Sequence, residues 1–117
     1  MFDFEKLDIY QVVRELNHRV YIFLSEHLEI DDYIRAKWKQ ASQDVVINLV
    51  EGTGRISNED KKQYLTASRG FVFECVAILQ QLFDLGKMDS KKYEEFYAKY
   101  EQASKMLLGM YRSYNTQ

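Results

Sequence analysis

Glu15 and His18 stand three residues apart, the Glu-x-x-His spacing by which helical bundles present ligands to a pair of iron or manganese ions. Such a site needs a second copy of the pair and two further glutamates, and the chain has no second copy. Both side chains fall opposite the apolar stripe of their own segment, so they are expected to face solvent. His27 lies near the core side of a helix end, where an imidazole acts as a C-terminal cap or dipole partner. Neither histidine has a nucleophile in its pattern. No catalytic set, no metal site and no cofactor site is expected.

Gly52-Thr53-Gly54-Arg55 has the outline of a phosphate cradle. A P-loop, however, needs Lys-Ser/Thr after its second glycine and a strand before it, and a dinucleotide fingerprint also comes after a strand. A helical pattern precedes here, so the glycines read as a helix stop. The turn leads into the next helix's N-terminus, where free N–H groups favour anions. Arg55, Lys61 and Lys62 lie near it, opposed by Glu59 and Asp60.

Lys37, Asp44, Asn48, Glu51 and Arg55 share one flank of the segment before this turn. With the turn centred near Ile56, antiparallel geometry brings Glu51 level with Lys61 and Lys62, and Asp44 level with Arg69. A ladder of charged and hydrogen-bonded pairs along the seam of the second and third helices is expected, fixing register more than adding stability. Arg69 and Phe73 are one turn apart, which suits a guanidinium over a ring. Of the nine tyrosines, Tyr93, Tyr100, Tyr111 and Tyr114 fall on a core stripe. Base stacking on them would need cations on the same face, and acidic residues interleave with Lys91, Lys92, Lys99, Lys105 and Arg112.

The elements that must position these residues are helices. Apolar residues recur at spacings of three and four in four segments. The first runs over about 8–28, with Ile9, Val13, Leu16, Val20, Phe23 and Leu24 on one face. Asp31 or Asp32 opens the second, whose core face is Ile34, Trp38, Ala41, Val45, Leu49 and Gly52. Ser57 with Asp60 resembles a capping box for the third, which carries Tyr64, Phe71, Cys75, Ile78 and Leu82 and stops at Gly86. Asp89 or Ser90 opens the fourth, with Phe96, Ala103 and Leu107 beside its tyrosines. Connections are short, which predicts an all-α, antiparallel up-down-up-down four-helix bundle forming one domain over 1–117.

The totals agree with that class. The 117 residues include no proline and five glycines, too few breakers for a turn-rich fold. A net charge of −2 offers no broad field for a phosphate backbone, although a local basic patch stays open. Cys75 is the single cysteine, which suits a reducing compartment. The acidic start, Met1-Phe2-Asp3-Phe4-Glu5, is unlike a signal peptide, and no apolar run approaches a membrane span. A cytoplasmic location is expected.

Two helices carry more apolar surface than one stripe needs. Val46, Ile47 and Val50 point away from the Trp38–Val45–Leu49 face, and Leu65, Val72, Val76, Leu79 and Phe83 form a second row on the third helix. A helix apolar around most of its girth is buried around most of it. These eight residues are therefore the expected interface of a homo-oligomer.

Three stretches carry a family resemblance that covers nearly the whole chain. Phe4-Glu5-Lys6-Leu7-Asp8-Ile9-Tyr10 is similar to "F-x-x-L-x-V-W". Asn48-Leu49-Val50-Glu51-Gly52-Thr53-Gly54-Arg55 resembles "N-I-A-E-G-x-G-R". Tyr64-Leu65-Thr66-Ala67-Ser68-Arg69-Gly70 with Glu74 is similar to "F-L-x-x-A-x-G-S-x-x-E", and Asp84-Leu85-Gly86 extends the likeness. Together they resemble the small four-helix proteins of 23S rRNA intervening sequences, the S23 family. Phe71 replaces a usual serine, Tyr10 a common tryptophan, and Gln43-Asp44-Val45-Val46-Ile47 a stretch that often bears proline.

The resemblance implies a left-handed bundle assembled as a ring, with a pentamer as the expected size, and it implies no enzyme. It places the motif residues Asn48, Glu51, Gly52, Gly54, Arg55, Arg69, Gly70 and Glu74 at the helix seams. Family members are encoded within rRNA intervening sequences, and a related branch assists reverse transcriptases through a basic surface. The function expected is a non-enzymatic adaptor module with an RNA or ribonucleoprotein partner. Direct nucleic-acid binding by an assembled ring is the alternative, and a metal-binding bundle enzyme comes last.

Overall fold

Four amphipathic stripes of this length satisfy one another when they close on a common core. In the computed structural model, which describes residues 1–115, a short 3-10 turn, Asp3–Lys6, leads into α1 (Asp8–Ser25), α2 (Asp32–Thr53), α3 (Asn58–Asp84) and α4 (Ser90–Ser113). Sequential helices pack side by side and α4 returns beside α1, while the backbones of the diagonal pairs stay apart. This is the expected antiparallel up-down-up-down four-helix bundle, a rod of 49 × 22 × 22 Å. The α2–α3 seam is the most extensive and the α1–α4 seam the least.

The helix ends obey their capping residues. The Asp31 carboxylate accepts from the N–H groups of Tyr33 and Ile34, Ser57 Oγ from Asp60 N–H, and Asp89 from Lys92 N–H. Gly86, at φ 71°, closes α3. Lys87 N–H reaches Leu82 C=O at 2.9 Å and Gly86 N–H reaches Phe83 C=O at 3.0 Å, the paired bonds of a Schellman turn. At the other end of the rod α1 stops at Ser25, short of the expected 28. The Arg35 guanidinium reaches back from α2 and donates to Leu24 C=O at 2.8 Å and His27 C=O at 2.6 Å, and the intervening turn buries Ile30. His27 donates through Nδ1 to Phe23 C=O at 2.8 Å and stacks on the Phe23 ring, the helix-end role expected of it.

The apolar stripes read from α1 and α2 are buried throughout. On α3 the buried row is Leu65, Ser68, Val72, Cys75, Ile78, Leu79 and Leu82, whereas Tyr64 and Phe71 are only half-buried. This corrects the expected interface. Leu65, Val72 and Leu79 are at most 1% exposed and belong to the core of their own chain. With α2 on one side of α3 and α4 on the other, the buried arc spans both rows of a heptad-like repeat. Val46, Val50 and Val76 are half-buried, and Ile47 and Phe83 remain exposed.

Candidate functional site

The motif around the α2–α3 turn is built to bring two helices close. A Cβ on Gly52 would lie 2.9 Å from the Tyr64 Cβ, so glycine at this point sets the spacing of the seam. Arg55 bonds the Tyr64 hydroxyl and spreads its guanidinium 4.5 Å over that ring, while Glu51 sits 3.8 Å behind it as an exposed ion-pair partner. Gly54 caps α2 in an ordinary helical conformation, its N–H bonded to Glu51 C=O. The Lys61 ammonium crosses from α3 to donate to Thr53 C=O at 3.2 Å, taking one of the carbonyls that a helix end leaves unpaired.

Of the ladder expected between α2 and α3, the level charge pairs Glu51 with Lys61 or Lys62 and Asp44 with Arg69 do not form. Asn48 turns back along its own helix to Asp44 C=O, and the Asp44 carboxylate accepts from Gln40. Lys62 lies 5.3 Å over the Tyr111 ring, and Lys61 lies 5.9 Å over Tyr114. Arg69 donates to Ser104 C=O and Oγ on α4 and covers the Phe73 ring at 5.0 Å, the stacking its spacing suggested. Arg69 and Lys62 lean toward α4, where Ser104 offers its hydroxyl and carbonyl oxygens and Tyr111 its ring face, while Lys61 reaches the end of α2. The ion pair that does cross the α2–α3 seam joins Lys37 to Glu74 at 3.3 Å, half-exposed and therefore weak. Inside the seam, Ser68 Oγ donates to Val45 C=O at 2.7 Å.

Two polar sets in the bundle escape the sequence pattern. The Trp38 indole N–H donates to the Tyr100 hydroxyl at 3.0 Å across the diagonal of the core, and that hydroxyl also contacts the Cys75 thiol. Burial pushes Cys75 up to about 12 and Tyr100 well above its ordinary value, so both hold their protons at neutral pH. Between α1 and α2, Ser42 donates to Asn17 Oδ1 and Asn17 to Gln43. A polar residue amid an apolar stripe is the signal that could have found Ser42, Ser68 and Tyr100. Glu15, by contrast, pairs with Arg19 at 2.6 Å, and His18 is exposed on the α1–α4 groove. Among the described residues no three His, Cys, Asp or Glu side chains converge, and no helix is long and apolar enough to cross a membrane.

Besides the α1–α4 groove of about 320 Å³, a trough of about 330 Å³ lies open between α3 and α4, lined by Leu65, Thr66, Arg69, Gly70, Phe73, Leu107, Leu108 and Tyr111. It continues along the helices past Val76, Tyr97 and Glu101. Phe73 is 56% exposed on its wall. Residues 61–73 and 102–115, which border it, hold five cations and no acid, whereas the remaining residues hold eleven cations and eighteen acids. The stretches beside this end of the trough are thus rich in cations, while Glu101 lines its continuation.

Residues 5–109 match the model of the 23S rRNA-intervening sequence protein family. The chain belongs to that family. No curated protein matches it. The intervening-sequence fold is also that of a protein of unknown function from the S23 ribosomal protein family of Bacteroides thetaiotaomicron. That protein shares 16% identity with this chain at a TM-score of 0.81, over 88% of this chain and 97% of its own. Likeness at that identity bears on the fold, so the intervening-sequence motif residues are interpreted by their own contacts. By those contacts Gly52, Gly54, Arg55 and Arg69 organise seams and caps, Asn48, Glu51 and Glu74 make helix-surface bonds, and Gly70 stands exposed on the trough.

Proposed function

We propose that this intervening-sequence protein is a non-enzymatic, self-associating interaction module of the cytoplasm that serves as an adaptor for an RNA or ribonucleoprotein partner. One observation carries the self-association: the core is complete, yet Phe73, Ile47, Phe83 and Tyr97 stand 40–56% exposed along α2, α3 and α4. Exposed apolar side chains on the outer ridge of α2 and beside the α3–α4 trough offer two faces through which copies can meet. The cysteine, buried and holding its proton, supports a role without chemistry. Membership of a family described by rRNA intervening sequences supports the RNA partner. Light scattering tests the assembly, with a mass of several 14.0 kDa chains expected, about 70 kDa for a five-membered ring. A 14.0 kDa particle at micromolar concentration overturns it.

The five cations of residues 61–73 and 102–115, beside one end of the trough, favour a second reading, direct binding of nucleic acid by the assembled protein. Phosphate contacts of that kind weaken steeply with salt. RNA retained at low salt and released as salt rises supports this reading, and no retention at low salt disposes of it.

A further inference from the structure

We propose that the α3–α4 trough of one copy receives the outer ridge of α2 from the next, so that copies associate head to tail. This docking rests on the self-association reading and names the two faces that meet.

Height along the rod brings the relevant charges together. Ser68 is bonded to Val45, and Gly52 abuts Tyr64, so Asp44 stands level with Arg69 and Glu51 level with Lys62. Opposite charges thus occupy the same heights on α2 and α3. Within one chain neither of these pairs forms. Arg69 and Lys62 are drawn around α3 to Ser104 and Tyr111 on α4, and Asp44 and Glu51 bond only within α2 and its turn, to Gln40 and Arg55.

The two acids are seven residues apart with Ile47 between them at i+3, which places all three along one flank of a helix. Ile47 is 43% exposed. The ridge is therefore acid, apolar, acid over two turns. Arg69 and Lys62 are also seven apart: Arg69 lines a trough that includes Leu65, Leu107 and Leu108, and Lys62 lies over Tyr111 at its edge. A second copy set alongside with its helices running the same way presents Asp44 to Arg69, Glu51 to Lys62 and Ile47 to the apolar lining of the trough. The charge complementarity missing inside the chain is restored between chains.

The ridge and the trough are different surfaces. Contact between them is heterologous, and repetition of it gives a ring where the rotation closes. Because both patches lie at one height, repetition turns about an axis along the helices and does not climb.

The test is charge reversal on the full chain, read by light scattering, with circular dichroism confirming helical content. The paired changes Asp44→Lys with Glu51→Lys, and separately Lys62→Glu with Arg69→Glu, are each expected to reduce the assembly to the 14.0 kDa chain. All four changes together are expected to restore the wild-type mass. Arg69 also bonds Ser104, so a second measurement guards against misfolding. Ile47→Cys protein mixed with Thr66→Cys protein is expected to give an oxidised disulfide dimer containing one chain of each. A wild-type oligomer that withstands both reversals and yields no mixed dimer overturns the docking while leaving self-association intact. Reversals that abolish RNA retention without changing mass overturn it in favour of nucleic acid. A wild-type monomer overturns both.

Discussion

A Cβ placed on Gly52 would sit 2.9 Å from the Cβ of Tyr64, a separation real side chains do not adopt. Both atoms are fixed to helix backbones, so relief requires α2 and α3 to part. Gly52→Ala is expected to destabilise the bundle by about 1–3 kcal/mol through overpacking, less about 1 kcal/mol that alanine returns in helix propensity. Gly70 supplies the contrast, since a Cβ there meets nothing within 4 Å. Gly70→Ala should stabilise by about 0.5–1 kcal/mol. Urea midpoints of the two variants should move in opposite directions.

Trp38 and Tyr100 tie α2 to α4 across the core, where no backbone contact does. Tyr100→Phe leaves the indole N–H buried without an acceptor, expected to cost about 1–3 kcal/mol. Trp38→Phe removes the donor and leaves a cavity beside Phe23 and Phe96, and should cost at least as much. A double-mutant cycle with Tyr100→Phe checks the link. Additive losses would count against it.

The same cluster predicts a pH dependence. Burial raises the Cys75 thiol from 9.0 to about 12, and Tyr100 shifts upward from 10.0. The folded chain therefore holds protons that the unfolded chain gives up. The stabilisation is complete below pH 9 and is lost as pH rises from 9 through the folded values. Urea midpoints should fall across that window, and Cys75→Ala should fall less steeply than wild type.

Arg35 is expected to matter more than its half-buried position suggests. It closes α1 by donating to Leu24 C=O in the last turn and to His27 C=O in the turn that follows. Arg35→Ala should cost about 1–2 kcal/mol, and Arg35→Lys should recover only part of it, because a compact, strongly hydrated ammonium lacks the rigid, spaced pair of N–H groups that reaches both carbonyls. Thermal denaturation of the three proteins measures the order.

Much of this fold is legible in the sequence because helical periodicity needs only local information. The stripes of α1 and α2, the caps at Asp31, Ser57 and Asp89, and the stop at Gly86 all depend on residues within one or two turns. The seam chemistry is not legible. Height along a hairpin comes from counting residues, and it sets Arg69 level with Asp44. Which way a long side chain swings depends on the third helix that flanks it, and Ser104 and Tyr111 lie more than thirty residues further on. The width of a buried arc likewise depends on how many neighbours a helix has. Leu65, Val72 and Leu79 are surplus to a single stripe and become core only because α4 covers them.

That distinction between core and surplus can be measured. Leu79 is fully enclosed, so Leu79→Ala should cost about 2–5 kcal/mol at every protein concentration, because the cavity lies inside one chain. Ile47 touches solvent in the isolated chain, and Ile47→Ser should change the stability of the monomer by no more than about 0.5 kcal/mol. If copies associate through that flank, the serine also lowers the apparent stability of the wild-type assembly, and only at concentrations where the assembly is populated. Urea midpoints taken across a concentration series therefore separate the two residues. Leu79→Ala should give a parallel downward shift, whereas Ile47→Ser should converge with wild type on dilution. An Ile47→Ser loss that persists unchanged at the lowest concentration would place that residue with the core and not with the surface.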